Sequence, residues 1–519
     1  VTHTHDLSVI RMAEAVRSGE LSPVELTDHY LDRIDRLDPQ VGAYVTVTAE
    51  IAREQARQAE KAVLDAPDPD ALPPLHGIPV PIKDLNMVSG VRATFGSDVF
   101  AELTGFLDDN VVCLLRQAGS VLLGKTTAPE FGLPCYTESG VAPPARTPWD
   151  LTRSAGGSSG GAAAAVAAGL APTAQGSDGG GSIRIPSSVC GLVGIKPTRG
   201  RVSQGPIIPD LFGLSTNGPI ARTVRDAALL LDVMAGPMPG DLYAAPPVQG
   251  TFLSYADRPP GRLRIARSRE PAVPGAVVHP DCVTAYDEAS ALLEELGHEV
   301  VELPPVLGTD LVPHFELLWG VMATMTPVPG DKEHLLQPLT RWLRERGRAT
   351  SATQLFQAHA ALQAALRGAF PVMDGFDAIL HPTLAQPPAP VGYFHDQEPA
   401  ENFQRQKDFT PFCAAYNISG QPAVNVPLHW TKGSSGGSGG LSSQGVQGSS
   451  GGSGGLSSQG VQGSSGGSGG VSPQGVQGGL PIGIMLAGRL GGEGTLISLA
   501  AQLEEARPWV DRKPAIWEA

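Results

Sequence analysis

Between residues 263 and 301 the chain switches twice between hydrophobic periods, and that alternation limits the folds open to it. Leu263-Arg264-Ile265 reads as a short strand, Tyr286, Ala289, Leu293 and Leu296 form a helical stripe stopped by Gly297, and Val300-Val301 begins a second strand. A strand, a helix and a strand in that order build a sheet covered by helices. The theme recurs along the chain. Ile482 to Leu486 reads as strand and Thr495 to Ala506 as helix, while Ile78-Pro79-Val80-Pro81-Ile82, Val121-Leu122-Leu123 and Leu170 to Gln175 suit buried strands. Thr223 caps a helix with an apolar stripe at Ala227, Leu230, Leu231 and Met234 and a stop at Gly236. Ser22, Pro23 and Glu25 spell a capping box at the head of an N-terminal helix. The expected class is α/β, a sheet flanked by helices.

A chain of 519 residues would make about three domains at roughly 150 residues each, although large α/β enzymes form single units. A formal charge of −15 and a pI of about 5.3 give no basic field for nucleic acid or an anionic membrane, so neither is expected as a partner. The five cysteines, Cys113, Cys135, Cys190, Cys282 and Cys413, are scattered with no C-x-x-C pair, which fits a reducing cytoplasm. The first residues lack the basic and apolar regions of a secretory signal. No apolar run reaches the roughly 18 residues of a membrane span. A soluble, cytoplasmic protein is expected.

One stretch departs from the alternation. Residues 433–447, 448–462 and 463–477 are three tandem copies of a 15-residue unit, GSSGGSGGLSSQGVQ, altered in the third copy at Val471 and Pro473. So little apolar surface does not offset the entropy of ordering, and the segment reads as a flexible loop. Closing a loop of that length costs about 2 kcal/mol. The runs Ala423-Val424-Asn425-Val426-Pro427-Leu428 and Leu480-Pro481-Ile482-Gly483-Ile484 are therefore expected to be neighbouring strands on either side of it. A short solenoid or a partner-binding arm is the rival reading.

Candidate chemistry lies in two Ser/Gly clusters, Gly156-Gly157-Ser158-Ser159-Gly160-Gly161 and Gly176-Ser177-Asp178-Gly179-Gly180-Gly181-Ser182-Ile183-Arg184. Glycines free the backbone so that successive N–H groups converge on one oxygen, and a serine ending such a run can attack a carbonyl while they hold the oxyanion. A bare GGGS is more often a plain turn, but Ile183, Ile185 and Val189 beside it belong to buried structure. Asp178 and Arg184 either pair to brace the loop or are simply solvated. Lys83 is either an ordinary lysine paired with Asp84 or a desolvated one whose neutral amine serves as a base.

Two decoys stand beside this set. Gly157-Ser158-Ser159-Gly160-Gly161 matches the G-x-S-x-G elbow with Ser159 as nucleophile. That elbow needs a strand directly before it, whereas 145–150 reads as loop, and a chain with 64 glycines produces chance matches. Twelve histidines keep a Ser-His-Asp triad open by count; His76 and His381, beside prolines, read as structural, and His3 and His5 as a disordered terminus. There is no H-E-x-x-H motif or clustered His/Cys set to support a metal centre.

Taken together and in this order, Pro81-Ile82-Lys83-Asp84, the two clusters running on to Ile185-Pro186, and Gly194-Ile195-Lys196-Pro197-Thr198 resemble the amidase signature family. The likeness extends from the N-terminal helices through Asn417-Ile418-Ser419-Gly420-Gln421-Pro422-Ala423 to Gly479-Leu480-Pro481-Ile482-Gly483. It implies one α/β domain over residues 1–519 with a mixed central sheet, into which 433–477 is inserted as a segment foreign to the family. It also implies hydrolysis of a carboxamide through a serine acyl-enzyme, without a cofactor. By motif position, Ser182 is implied as nucleophile, Ser158 as a bridging serine after a cis peptide bond, and Lys83 as base. The backbone N–H groups of Gly179, Gly180, Gly181 and Ser182 are implied as the oxyanion hole.

Ser187-Ser188-Val189-Cys190-Gly191 and Lys196-Pro197-Thr198-Arg199-Gly200-Arg201 are most similar to amidases of the 6-aminohexanoate cyclic dimer hydrolase type. The implied partner is a small linear or cyclic amide, and a homodimer is left open. Phe315, Trp319, Met322 and Met325 either line an apolar cavity or face the core. Thr147 stands where the family often has Asn before Pro-Trp, which puts the local hydrogen bonding in question. A rival inside the family is the glutaminase subunit of a tRNA-dependent amidotransferase, which usually has Gln where Ile185 stands. A non-catalytic scaffold tethered by the repeats is the rival outside it.

Overall fold

The computed structural model describes residues 3–208, 212–305, 307–432 and 479–519, and its strands follow the short apolar runs. Among the described residues they are β1 (Tyr44–Val47), β2 (Pro79–Lys83), β3 (Val121–Thr126), β4 (Thr173–Asp178), β5 (Val193–Lys196), β6 (Thr216–Ala221), β7 (Arg264–Arg267), β8 (Glu299–Glu302), β9 (Ala378–Pro382), β10 (Ala423–Trp430) and β11 (Pro481–Gly488). Eight of them form one mixed sheet in the order β4-β6-β5-β10-β11-β9-β7-β8. Neighbours from β4 to β9 run antiparallel, and β9, β7 and β8 run parallel. The strand, helix, strand unit read at 263–301 is the parallel pair β7 and β8 joined by the helix Pro280–Glu295. A second sheet, β1-β3-β2, is small.

The expected α/β class is found, with helices flanking a large mixed sheet. Its centre is dry: Val424, Val426, Ile484 and Leu486 of β10 and β11 are completely buried. These two strands pair antiparallel, Ala423 opposite Ala487 and Trp430 opposite Pro481, as expected for the runs that flank the repeats. The repeats themselves, 433–477, lie outside the described residues.

What joins the small sheet to the large one is a side chain. Gln175, buried on β4, accepts from the Lys83 backbone N–H at 2.9 Å, and its Nε2 donates to Asn86 Oδ1 and Asn217 Oδ1, each at 2.9 Å. A strand edge takes hydrogen bonds wherever a correctly spaced amide offers them. The last residue of β2 is thereby fixed against β4, and Lys83 is carried to the middle of the molecule. The helix Gly160–Ala167 supports this junction from behind. Every residue in it is buried, as an all-small, all-apolar helix requires. A Cβ on Gly161 would lie 2.5 Å from Ala43 O and Thr127 N, so only glycine permits the approach.

Three local expectations need correction. The strand read at Leu170 to Gln175 runs from Thr173 to Asp178, because Pro172 has no N–H for the ladder and the strand starts after it. Ser22 caps its helix by accepting from the Val24 and Glu25 N–H groups, but the reciprocal bond from the Ser22 N–H to the Glu25 side chain is not formed; separately, the Ser22 hydroxyl donates to Glu60 Oε1. His5 is not disordered. Its ring is buried, bonded to His29 Nε2 and to the Trp517 carbonyl at 3.1 Å each.

Gln175→Leu is expected to lower unfolding free energy by about 3 kcal/mol, since it strands the Lys83 N–H and two buried amide oxygens. Denaturant titration of the purified variant checks this.

Candidate active site

Three chain segments converge where the two sheets meet. The end of β2 supplies Lys83, the turn before the helix Gly160–Ala167 supplies Ser158, and the loop between β4 and the helix Arg184–Cys190 supplies Ser182. Lys83 has no solvent exposure, and its Nζ lies 2.8 Å from Ser158 Oγ and 2.9 Å from Ser177 Oγ. Burial pulls the lysine pKa down to about 7, against the pull of the Asp178 charge, which raises it. The peptide bond between Gly157 and Ser158 is cis. A side chain on Gly157 would run into the Tyr136 backbone at 2.6 Å.

The path of the Gly179–Ser182 loop is set by Asp178. Its Oδ1 accepts from the Gly181 N–H at 2.7 Å, from an Arg184 Nη at 2.9 Å and from Asn417 Nδ2 at 2.8 Å. Its Oδ2 accepts from the Ile183 N–H at 3.1 Å and from Arg184 Nε at 2.9 Å. Asp178 and Arg184 are both fully buried, so the pair braces the loop and is not a solvated pair. Burial alone would raise the Asp178 carboxyl; the Arg184 charge and these donors overcome that and hold it well below the usual carboxylate range. Gly181 has φ +128°, and a Cβ there would come within 2.7 Å of Cys413 and Ile185, so the turn requires glycine.

Of the four N–H groups read as an oxyanion hole, that of Gly181 is engaged by Asp178. No hydrogen bond from the Gly179, Gly180 or Ser182 N–H is found among the described residues. Lys83 and Ser158 are brought into contact. The Ser158 and Ser182 hydroxyls share the lining of one cavity without a hydrogen bond between them among the described residues.

Two cavities meet at Ser182. The larger, about 660 Å³, also takes in Ser158, Ser177 and Gly179 and is walled by Phe95, Phe100, Phe131 and Phe212. The smaller, about 120 Å³, is lined by Gly180, Ile185 and Phe315, with Gln406 and Lys407 as polar members. Leu133 and Trp319 border both. The helix Val312–Met325 resolves the open question about its four large side chains: Phe315 and Trp319 face the smaller cavity, and Trp319, Met322 and Met325 the larger.

The decoys fall elsewhere. Ser159 Oγ is tied to Ser177, accepting from its N–H and donating to its carbonyl, and no strand precedes it. His381 is bonded to Tyr416 Oη and Ser268 O, and burial lowers its pKa to about 4; His76 is bonded to Ala59 O. Thr147 donates to Val189 O at 2.8 Å, which meets the local need there. Two participants stand in quoted motifs without a role read for them. Ser177 lies two residues after Gln175 on β4, so strand alternation alone puts both toward Lys83. Asn417, far along the chain, carries no local signal.

Comparison with known proteins bears on this arrangement. The amidase family model matches residues 25–497. The chain belongs to the amidase family. It is 33% identical over 531 residues to the 6-aminohexanoate-cyclic-dimer hydrolase of Paenarthrobacter ureafaciens, covering 97% of this chain and 95% of that one. It is 32% identical over 530 residues to an acylamidase of Rhodococcus erythropolis, covering 98% of each. The structure of 6-aminohexanoate cyclic dimer hydrolase complexed with substrate superposes with a TM-score of 0.82 at 28% identity, covering 99% of this chain and 100% of that chain. This amidase is therefore a hydrolase acting on amides. Among its described residues, no helix is long and apolar enough to cross a membrane.

Arg184→Met in this amidase is expected to cost about 3–5 kcal/mol of stability, because it leaves the buried Asp178 carboxylate unpaired. Asp178→Asn should cost a similar amount, because it leaves the equally buried Arg184 guanidinium without its counter-charge and two of the five donors without an acceptor. Chemical unfolding of both variants provides the measurement.

Proposed function

We propose that the protein hydrolyses carboxamides through an acyl-enzyme on Ser182, with Ser158 relaying protons to and from Lys83. The observation that carries this reading is the 2.8 Å contact between Lys83 Nζ and Ser158 Oγ, made by a lysine whose pKa burial has lowered to about 7. A lysine in that range is partly neutral near neutral pH and can accept a proton without histidine.

In the first half-reaction Lys83 Nζ takes the Ser158 proton and Ser158 Oγ takes the Ser182 proton. Ser182 Oγ bonds to the amide carbon as that transfer occurs. The carbonyl oxygen becomes an oxyanion facing the N–H groups of Gly179, Gly180 and Ser182; the Gly181 N–H, committed to Asp178, orders the loop. The C–N bond then breaks as Ser158 gives its proton to the departing nitrogen, and Lys83 returns the proton it holds. Water repeats the sequence on the ester and frees the acid. The separation of the two hydroxyls in the resting site is in keeping with contacts that tighten on substrate binding.

Apolar walls on both sides of Ser182 favour amides whose acyl and amine halves are both largely hydrocarbon. Ile185 lines the smaller cavity where the glutaminase branch usually has Gln, which supports an amide hydrolase over that subunit.

Ser182→Ala is expected to lower kcat by at least about 10³-fold with folding intact, and a fluorophosphonate should label wild type at Ser182 alone. Full turnover by the variant would rule the nucleophile out. The sign of the pH dependence follows from the base: Lys83 is active when deprotonated, so kcat/KM should rise through about pH 7 and level off above it. Lys83→Ala should cost about 10²–10⁴-fold and abolish that limb of the profile.

A further inference from the structure

Most of the wall of the larger cavity is apolar, and among its polar side chains one is used neither by the catalytic cycle nor by its neighbours. Close to the serines, its polar side chains are already engaged. Asn86 Nδ2 donates to Asp109 Oδ2, Asn217 Nδ2 donates to the Ser203 carbonyl, and both amide oxygens accept from Gln175. Ser177 accepts from Lys83. Ser215 and Thr326 line the cavity while remaining partly exposed, so these side chains are not cut off from solvent.

Gln204 differs. It lines the same cavity at 8% exposure, and its Nε2 is shut off from solvent with no hydrogen-bond partner. Native proteins seldom leave a buried amide donor unmet, because the group gives up its water without replacement. The backbone beside it is pinned. Ser203 Oγ donates to Asp241 Oδ1 at 2.6 Å and accepts from Asn110 Nδ2 at 2.8 Å and from the Gly205 N–H at 3.2 Å. The backbone that carries the carboxamide is thus held in place while its donor is unspent; the N–H is closed off from the cavity in this arrangement, and a turn about the terminal torsion brings it there.

We propose that Gln204 donates a hydrogen bond to a second carbonyl of the substrate, on the arm that occupies the Phe-walled cavity. The preferred substrates are then linear amides that are hydrocarbon along most of that arm and carry one further carbonyl within it. An all-methylene arm leaves the Gln204 amide unmet; a carbonyl at the right depth meets it, and a site built in this way discriminates against the analogue that lacks the group. The inference rests on the Ser182 reading and adds to it the class of amide that Ser182 meets.

The test uses matched pairs of linear amides in which one methylene is replaced by a ketone at successive positions, in the acyl half for one series and in the amine half for the other. Wild type should favour at least one ketone member over its methylene partner by about fivefold or more in kcat/KM. In Gln204→Leu that ratio should fall to about one, with Gln204→Met behaving alike and both variants keeping or raising Tm, since each removes an unpaired buried donor. Absence of a preference in every pair, or its survival in both variants, overturns the proposal. Fluorophosphonate labelling of Ser182 reads the underlying catalytic assignment without involving Gln204, so a failure there is told apart from a failure here.

Discussion

The Asp178 carboxylate is the point on which the site depends. A buried charge of that kind persists only when it is fully met, and here it is met by two backbone N–H groups, two guanidinium nitrogens and one amide. Those five donors come from the loop that carries Ser182, from the helix that follows, and from Asn417 far along the chain. The carboxylate therefore couples the shape of a glycine turn, which has little conformational preference of its own, to the packing of the whole sheet. Its charge also acts on Lys83, opposing the desolvation that lowers the lysine.

The sites of the fold that were legible in the sequence were those with local chemistry. Thr223 accepts from the Asp226 N–H at its helix start, and the runs at 423–428 and 480–484 pair across the stretch between them. Apolar period and caps act over a few residues, so one sequence suffices to read them. What stayed open was set by distant partners. Nothing local separates a bracing Asp178–Arg184 pair from a solvated one, because the difference is made by Asn417 and by burial. The same holds for Trp319: helical spacing places it on an apolar face, and only the tertiary structure shows that this face borders two cavities.

Individual site residues follow the same division. Ser158 and Ser182 stood out as candidates through the glycine clusters and Lys83 through its strand, each with a plausible bland alternative that sequence alone did not remove. Ser177 was within reach of strand alternation. Gln204 was not, since glutamine before a glycine signals nothing until its surroundings show that its donor goes unused.

The pairing of β10 with β11 has a consequence for the length of the stretch between them. Thr431 N–H donates to the Leu480 carbonyl at 2.8 Å and the Leu480 N–H donates to Thr431 Oγ1 at 2.9 Å, so entry and exit of the intervening stretch are clasped at the sheet rim. The clasp is made by Thr431 and Leu480 themselves, so its geometry sets no condition on how many residues run between them. A repeat unit gained or lost between these two positions leaves each hydrogen bond of the clasp, and the register of β10 against β11, as it stands.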